Sequence, residues 1–222
     1  MLPPLKLYLN HNPPRHGKNL PNLIIKTDIL IAWGAVFRKY RKGEMIFKED
    51  SLALFYHQVE EGSVKMINCN EKGKEFIQGI FEAGESFGEP PLFFEGHYPA
   101  SAFAETDCTI LKLRKESFLE ILRDNPQIHF AITQMLGKRL HNKAIVSREL
   151  ACHEPEHRIM TFLEMIRGRQ IKQEGQKVKV PYTRQQLADM TGLRVETVIR
   201  TIRSLEMKGE LTIEGGKVFL HD

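Results

Sequence analysis

Glu196 and Arg200 stand four residues apart in Leu193–Gly209, a stretch whose apolar Leu193, Val198 and Ile202 recur at helical spacing. A four-residue step puts both on one face of a helix. A guanidinium there offers a planar fork that matches O6 and N7 of guanine, and a carboxylate accepts from N4 of cytosine. On an isolated helix the same two residues make only a surface pair worth ~0.3–0.5 kcal/mol. Which chemistry holds depends on the elements that carry them.

Those elements are well signposted. Thr183-Arg184-Gln185-Gln186 has the form of a capping box, with Thr183 as N-cap and Gln186 reaching back. A short helix then runs to Thr191-Gly192, where glycine permits a left-handed turn. Leu187, Leu193, Val198 and Ile202 supply a buried face, and Ala188 is small enough for two helices to cross closely. After Gly209, residues 211–220 read as two strands around Gly215-Gly216, a hairpin wing. This is a winged helix-turn-helix, and its second helix presents Glu196 and Arg200 outward. Thr183, Arg184, Arg194, Thr197 and Lys217 are placed to contact phosphates, which position a protein on a duplex without reading sequence.

Upstream, residues 1–21 carry five prolines and read as an extended arm. From Val36 to Arg114 short strand-like runs (VFRKY, EMIF, LFYHQV, SVKMIN, EFIQGIF, TILKL) are punctuated by Gly43, Gly62, Gly73 and Gly84, as in an antiparallel sandwich or barrel. Alternation places Phe55, His57 and Val59 on one face. A short helix ends before Pro126. Ile128, Ile132, Met135, Leu136, Leu140, Ile145, Val146 and Leu150 then mark a helix over residues 126–153, about 40 Å long at 1.5 Å per residue. That exceeds what a small domain needs for its own core, and it reads as a helix pairing with its twin in a homodimer. Pro155 opens the next helix at a position where a missing N–H does no harm.

Composition narrows the class. The 222 residues are 41% hydrophobic and 27% charged, ordinary for a globular protein. No apolar run reaches membrane-spanning length, and the first twenty residues lack the core of a secretion signal, so a cytoplasmic location is expected. The net charge is +4; from Pro155 onward 12 Lys and Arg stand against 9 Asp and Glu, so +3 of it lies in the last third. Cys69, Cys108 and Cys152 are far apart, which suggests neither a disulfide framework nor a cysteine-rich metal site. Cys152, His153 and His157 gather at a helix junction; Pro155 spoils regular helical ligand spacing there, and they read as hinge packing with no metal assigned. His57 and His97 read as structural.

The segments NEKGKEFIQGIFEAGESFGEPPLF, NPQIHFAITQMLGKRL and TRQQLADMTGLRVETVIRTIRSLEMKGEL resemble the Crp/Fnr superfamily of bacterial transcription regulators, from Val36 nearly to the end. The resemblance implies an α+β chain: a cyclic-nucleotide-binding-like β-roll sensor (22–125), a dimerisation helix (126–153) and a winged helix-turn-helix (154–222). It also implies a homodimer on a two-fold symmetric operator in double-stranded DNA and contact with RNA polymerase, with the loop around Glu174-Gly175 as the surface by analogy. The Glu and Arg matching Glu196 and Arg200 read a GA core in each half-site. Val195 matches the valine of the fumarate–nitrate regulator rather than the arginine of the cyclic-AMP receptor protein, so a half-site nearer TTGA than GTGA is expected. Ile199 replaces a serine, and a thymine methyl would pack on it.

The sensor departs from the cyclic-AMP binders. Gly88-Glu89 and Ser101-Ala102 match their motif, but the arginine that holds the cyclic phosphate is replaced by Ala100, and the Thr-Ser pair that reaches adenine corresponds to Lys143 and Ala144. Without the bidentate cation most affinity is lost, so cyclic AMP is not the expected effector, although Lys143 can bring charge from another direction. The pocket around Glu89 either takes an unidentified small-molecule effector or is filled by Phe93, Phe94 and Tyr98. The N-terminal cysteines of the oxygen-sensing relatives are missing, which argues against an iron–sulfur cluster; no cofactor is assigned. Two other classes compete: a cupin-type metal enzyme with an appended DNA-binding domain, for which the His and Glu residues are too scattered, and a cyclic-nucleotide-binding module acting on a partner protein, against which the complete helix-turn-helix argues. The expected protein is a regulator rather than an enzyme.

Overall fold

The computed structural model describes residues 23–71, 73–169 and 177–221. The expected arm and the Glu174-Gly175 loop lie outside these residues. Described elements run α1 (Thr27–Ala32), β1 (Val36–Tyr40), β2 (Met45–Phe47), β3 (Phe55–Glu61), β4 (Ser63–Cys69), β5 (Glu75–Glu82), β6 (Ser86–Phe87), β7 (Ser101–Ala104), β8 (Cys108–Arg114), α2 (Lys115–Asp124), α3 (Pro126–Cys152), α4 (Pro155–Arg169), β9 (Val178–Lys179), α5 (Arg184–Thr191), α6 (Val195–Met207), β10 (Leu211–Glu214) and β11 (Lys217–Leu220). The described residues group into two compact units, those up to 64 with 81–132, and those of 65–80 with those from 133 onward.

The N-terminal strands form two four-stranded sheets, ordered β1-β8-β3-β6 and β2-β7-β4-β5. Each of Gly43, Gly62 and Gly84 has positive φ, as the turns between strands demand. Gly62 is held for a second reason: a Cβ there would come within 2.3 Å of the Asp107 carbonyl oxygen. Both faces of β3 are buried, which differs from the simple alternation expected. His57 lies among the rings of Phe47 and Phe87, each centroid 5.3 Å away. On the strand's other face Tyr56 stacks on Phe118 of α2 at 4.5 Å, and the Gln58 side-chain amide donates to the Ile25 carbonyl. Helices α1 and α2 therefore cover what an isolated sheet would leave wet.

In the second unit, Ile159 and Leu163 of α4, Leu187 and Ala188 of α5, Val198, Ile202 and Leu205 of α6, and Val218 and Leu220 of β11 form one buried core. Each of the larger side chains contributes roughly 1.5–3 kcal/mol through burial. A three-stranded sheet, β10-β11-β9, closes the core, and Gly215 and Gly216, at φ 56° and 76°, make its tight hairpin. Helix α3 ends one residue short of the expected boundary. Ile132 and Glu149 are buried along it, whereas Leu140 remains 72% exposed in the protomer.

Candidate nucleic-acid interface

Helix α5 begins as its residues dictate. The Thr183 hydroxyl accepts from the Gln186 backbone N–H at 3.1 Å, and the Gln186 side chain accepts from the Thr183 N–H at 2.8 Å. Two N–H groups that the helix cannot satisfy are thereby paired. At the other end Gly192 sits at φ 69°, ψ 10°, reversing the chain into α6. Helix α6 starts at Val195, two residues later than the apolar spacing suggests, because Arg194 is still extended as its N-cap.

The faces of α6 then separate. Val198, Thr201, Ile202 and Leu205 are buried against the core, while Glu196, Ile199 and Arg200 face outward. Among the described residues no ion-pair partner reaches Glu196 or Arg200, so the face keeps both charges available. Val195 is half-buried against the same core, on the border of the outward face. Arg194 and Lys217 are exposed and Thr197 is half-buried. Arg184 is half-buried and donates to the Gly216 carbonyl at 3.4 Å, which ties α5 to the wing. Thr183 is exposed but already committed to its capping role.

Other polar contacts stiffen this frame. The Gln185 amide donates to Asp189 at 2.9 Å, the Thr191 hydroxyl to the Leu187 carbonyl at 2.6 Å, and the Ile213 N–H to Glu206 at 2.9 Å. Burial pushes the Asp189 carboxyl above its ordinary range, against the pull of Gln185. Residues 65–80 group with this unit, and Lys74 donates to the carbonyls of Gly192 and Leu193 at 3.3 and 3.5 Å, at the turn itself. No sequence pattern links Lys74 to residues more than a hundred positions away, so this contact was not foreseen.

On the sensor side Gly88 has φ 74° and lies beneath two rings: a Cβ there would meet Phe47 at 3.0 Å and Tyr98 at 3.1 Å. Those rings stack at 3.7 Å. Tyr98 therefore fills the space near Glu89, as one expectation had it, but its partner is Phe47; Phe93 and Phe94 are 41% and 68% exposed. Glu89 and Ala100 are buried, and Ser101 accepts from the Glu49 N–H at 2.9 Å. Lys143 belongs to the second unit, where it donates to the carbonyl and side-chain oxygen of Gln78 at 2.8 and 2.5 Å.

Comparison with known proteins agrees with this architecture at both ends. Residues 37–125 match the cyclic nucleotide-binding domain and residues 157–222 the Crp-like helix-turn-helix domain. The chain belongs to the Crp/Fnr superfamily. It is 29% identical over 175 residues to the cAMP-activated global transcriptional regulator CRP of Haemophilus influenzae, covering 78% of this chain and 77% of that one. It is 26% identical over 185 residues to the nitrogen fixation regulation protein FixK of Bradyrhizobium diazoefficiens, covering 82% and 77%. In structure it resembles the c-di-GMP-responsive global regulator CLP of Xanthomonas campestris, with a TM-score of 0.70, 25% identity, and coverage of 88% and 97%.

As a Crp/Fnr member the chain is a DNA-binding transcription regulator of α+β class. No described helix is long and apolar enough to cross a membrane. The superfamily's relatives named above are regulators rather than enzymes.

Proposed function

We propose that the protein binds a two-fold symmetric operator as a homodimer, reading each half-site with Glu196, Ile199 and Arg200, and with Val195 at the edge of that surface. The separation of faces on α6 carries this reading: its apolar side is consumed by the core, and its outward side presents an acceptor and a bidentate donor one turn apart. A TTGA-like half-site follows from Val195, while Ile199, where the fumarate–nitrate regulator has a serine, offers an apolar surface to a thymine methyl in place of that serine's contact. Arg194, Lys217, Arg184, Thr197 and Thr183 flank the surface as phosphate contacts, the first two with exposed cations and Thr183 through a group also needed by its helix cap. The exposed Leu140 and half-buried Met135 and Leu136 on α3 support pairing with a second copy. RNA polymerase is the further partner of an activating regulator of this class.

Cyclic AMP is not the effector in this reading. The position that would hold a cyclic phosphate is the buried methyl of Ala100, and Lys143 is engaged by Gln78. The relatives' own names differ in the signal they carry, so family membership does not assign one. The test is a gel-shift series on an inverted repeat of TTGA half-sites and on random DNA. Arg200→Ala should cost about 1–3 kcal/mol on the repeat and relax preference at one base pair. Equal losses on the repeat and on random DNA would contradict base reading by this residue.

A further inference from the structure

The corner between α3 and α4 holds three side chains with ligand chemistry. Glu149 lies on the last turn of α3, His153 one helical turn later, and His157 in the first turn of α4 beyond Pro155. The donor atoms of all three lie within 4.8 Å of one another. Glu149 Oε1 is 4.0 Å from Nε2 of His153, Oε2 is 3.2 Å from Nε2 of His157, and the two imidazole centroids are 4.2 Å apart. The spacing across Pro155 is irregular in sequence, but the bend brings the third residue back. The backbone around the corner is fixed: the His153 N–H donates to the Glu149 carbonyl at 3.2 Å, and Arg158 Nε donates to the His153 carbonyl at 2.8 Å.

Burial makes the arrangement informative. The Glu149 side chain is only 5% exposed, whereas His153 and His157 are 37% and 54% exposed. Arg148 donates to Oε1 at 2.9 Å, while among the described residues no donor reaches Oε2 with hydrogen-bond geometry. The buried carboxylate thus turns one oxygen toward each imidazole and leaves Oε2 without a hydrogen bond, a cost that a bound cation would offset.

We propose that Glu149, His153 and His157 form a binding site for a divalent first-row transition metal, with zinc as the best match to two imidazoles and one carboxylate. Zinc bonds of about 2.0–2.2 Å in a tetrahedron set ligand atoms about 3.3 Å apart. The Glu149–His157 distance already meets this, and the His153 ring, being exposed, closes the remaining gap by small side-chain rotation. Arg148 occupies Oε1, so the ion is held through Oε2, and a water or an incoming ligand completes the fourth position. The ion would tie the end of α3 to the start of α4.

The site does not depend on the operator reading, and its test uses no DNA. Chelator-stripped, tag-free full-length protein is titrated with Zn2+ by calorimetry and with Co2+ by visible absorption. The expected result is one ion per protomer at micromolar concentration or below, with cobalt bands of tetrahedral intensity. His157→Gln and Glu149→Gln should each weaken binding by at least about tenfold, the smaller end of the loss seen when even a residue supporting a metal ligand is removed, while His141→Ala leaves it unchanged. Wild-type protein that takes up no stoichiometric Zn2+ or Co2+ overturns the proposal whatever the variants do. So does binding that His157→Gln leaves intact or that His141→Ala weakens equally.

Discussion

Replacing His57 by phenylalanine tests how the sensor sheets are held together. Its imidazole is fully buried on β3, tilted against Phe47 and stacked on Phe87, and among the described residues neither ring nitrogen has a hydrogen-bond partner. Burial, assisted by Lys112 directly across the strand pair, pushes its pKa down to about 3 from 6.5. Above pH 6.5 the ring is neutral in both folded and unfolded chains, and the stability it permits is fully present. As pH falls from 6.5 toward 3 the unfolded chain takes up a proton that the folded chain refuses, and stability is lost at about 1.4 kcal/mol per pH unit. At pH 5 the loss is about 2 kcal/mol relative to pH 8. Phenylalanine keeps the stacking and has no proton to take. Urea unfolding followed by tryptophan fluorescence suits the measurement, because Trp33 is the chain's one tryptophan and lies in the same unit as His57. Any repacking cost of the larger ring is common to both pH values and cancels in the difference. Wild type should lose about 2 kcal/mol more than His57→Phe between pH 8 and pH 5. Parallel losses would refute the account of a neutral, unpartnered imidazole.

Three further outcomes are expected. The double substitution Leu136→Glu with Leu140→Glu puts two charges on the apolar stripe of α3 and should give monomers in analytical sedimentation; a surviving dimer would rule out that stripe as the pairing surface. Calorimetric titration with cyclic AMP should show no micromolar binding, since Ala100 supplies no cation; a micromolar site would overturn that reading. Gly192→Ala forces a side chain into the left-handed region at φ 69° but meets Leu150 only at an ordinary 3.5 Å, so it should cost about 1–2 kcal/mol of backbone strain in thermal unfolding of the second unit, and an unchanged midpoint would contradict it.

The parts of this protein legible in its sequence are those whose physics is local. A capping box spans four residues, a left-handed glycine one, an amphipathic helix thirteen, and each signals itself by residue type at fixed spacing; the cap and the turn fall at Thr183 and Gly192 as expected, and α6 lies within the expected stretch, starting two residues late. Strands β1 to β5 and β8 were readable from glycine punctuation. Strands β6 and β7, with two and four residues, and the six-residue α1 were too short to show a period. The alternation on β3 misled because α1 and α2 bury its second face, and no pattern within LFYHQV records which helices will cover it.

The same distinction separates the proposed DNA-reading face from the sensor. Glu196 and Arg200 reach one surface because a single helix carries both, so their geometry follows from a spacing of four. Gly88 and the adjacent Ala100-Ser101 come from separate segments, and one of the two rings over Gly88 is Phe47, from a strand about forty residues earlier in the chain. Glu149 was invisible for a related reason: one partner lies a helical turn away and the other across a proline break, where no periodicity survives. A change of signal can therefore arise from a few substitutions at positions distant in sequence without disturbing the local code that builds the helix-turn-helix. Residues fixed by the spacing of one helix therefore carry over between relatives more safely than a pocket assembled from distant segments, and any effector has to be sought by binding measurements.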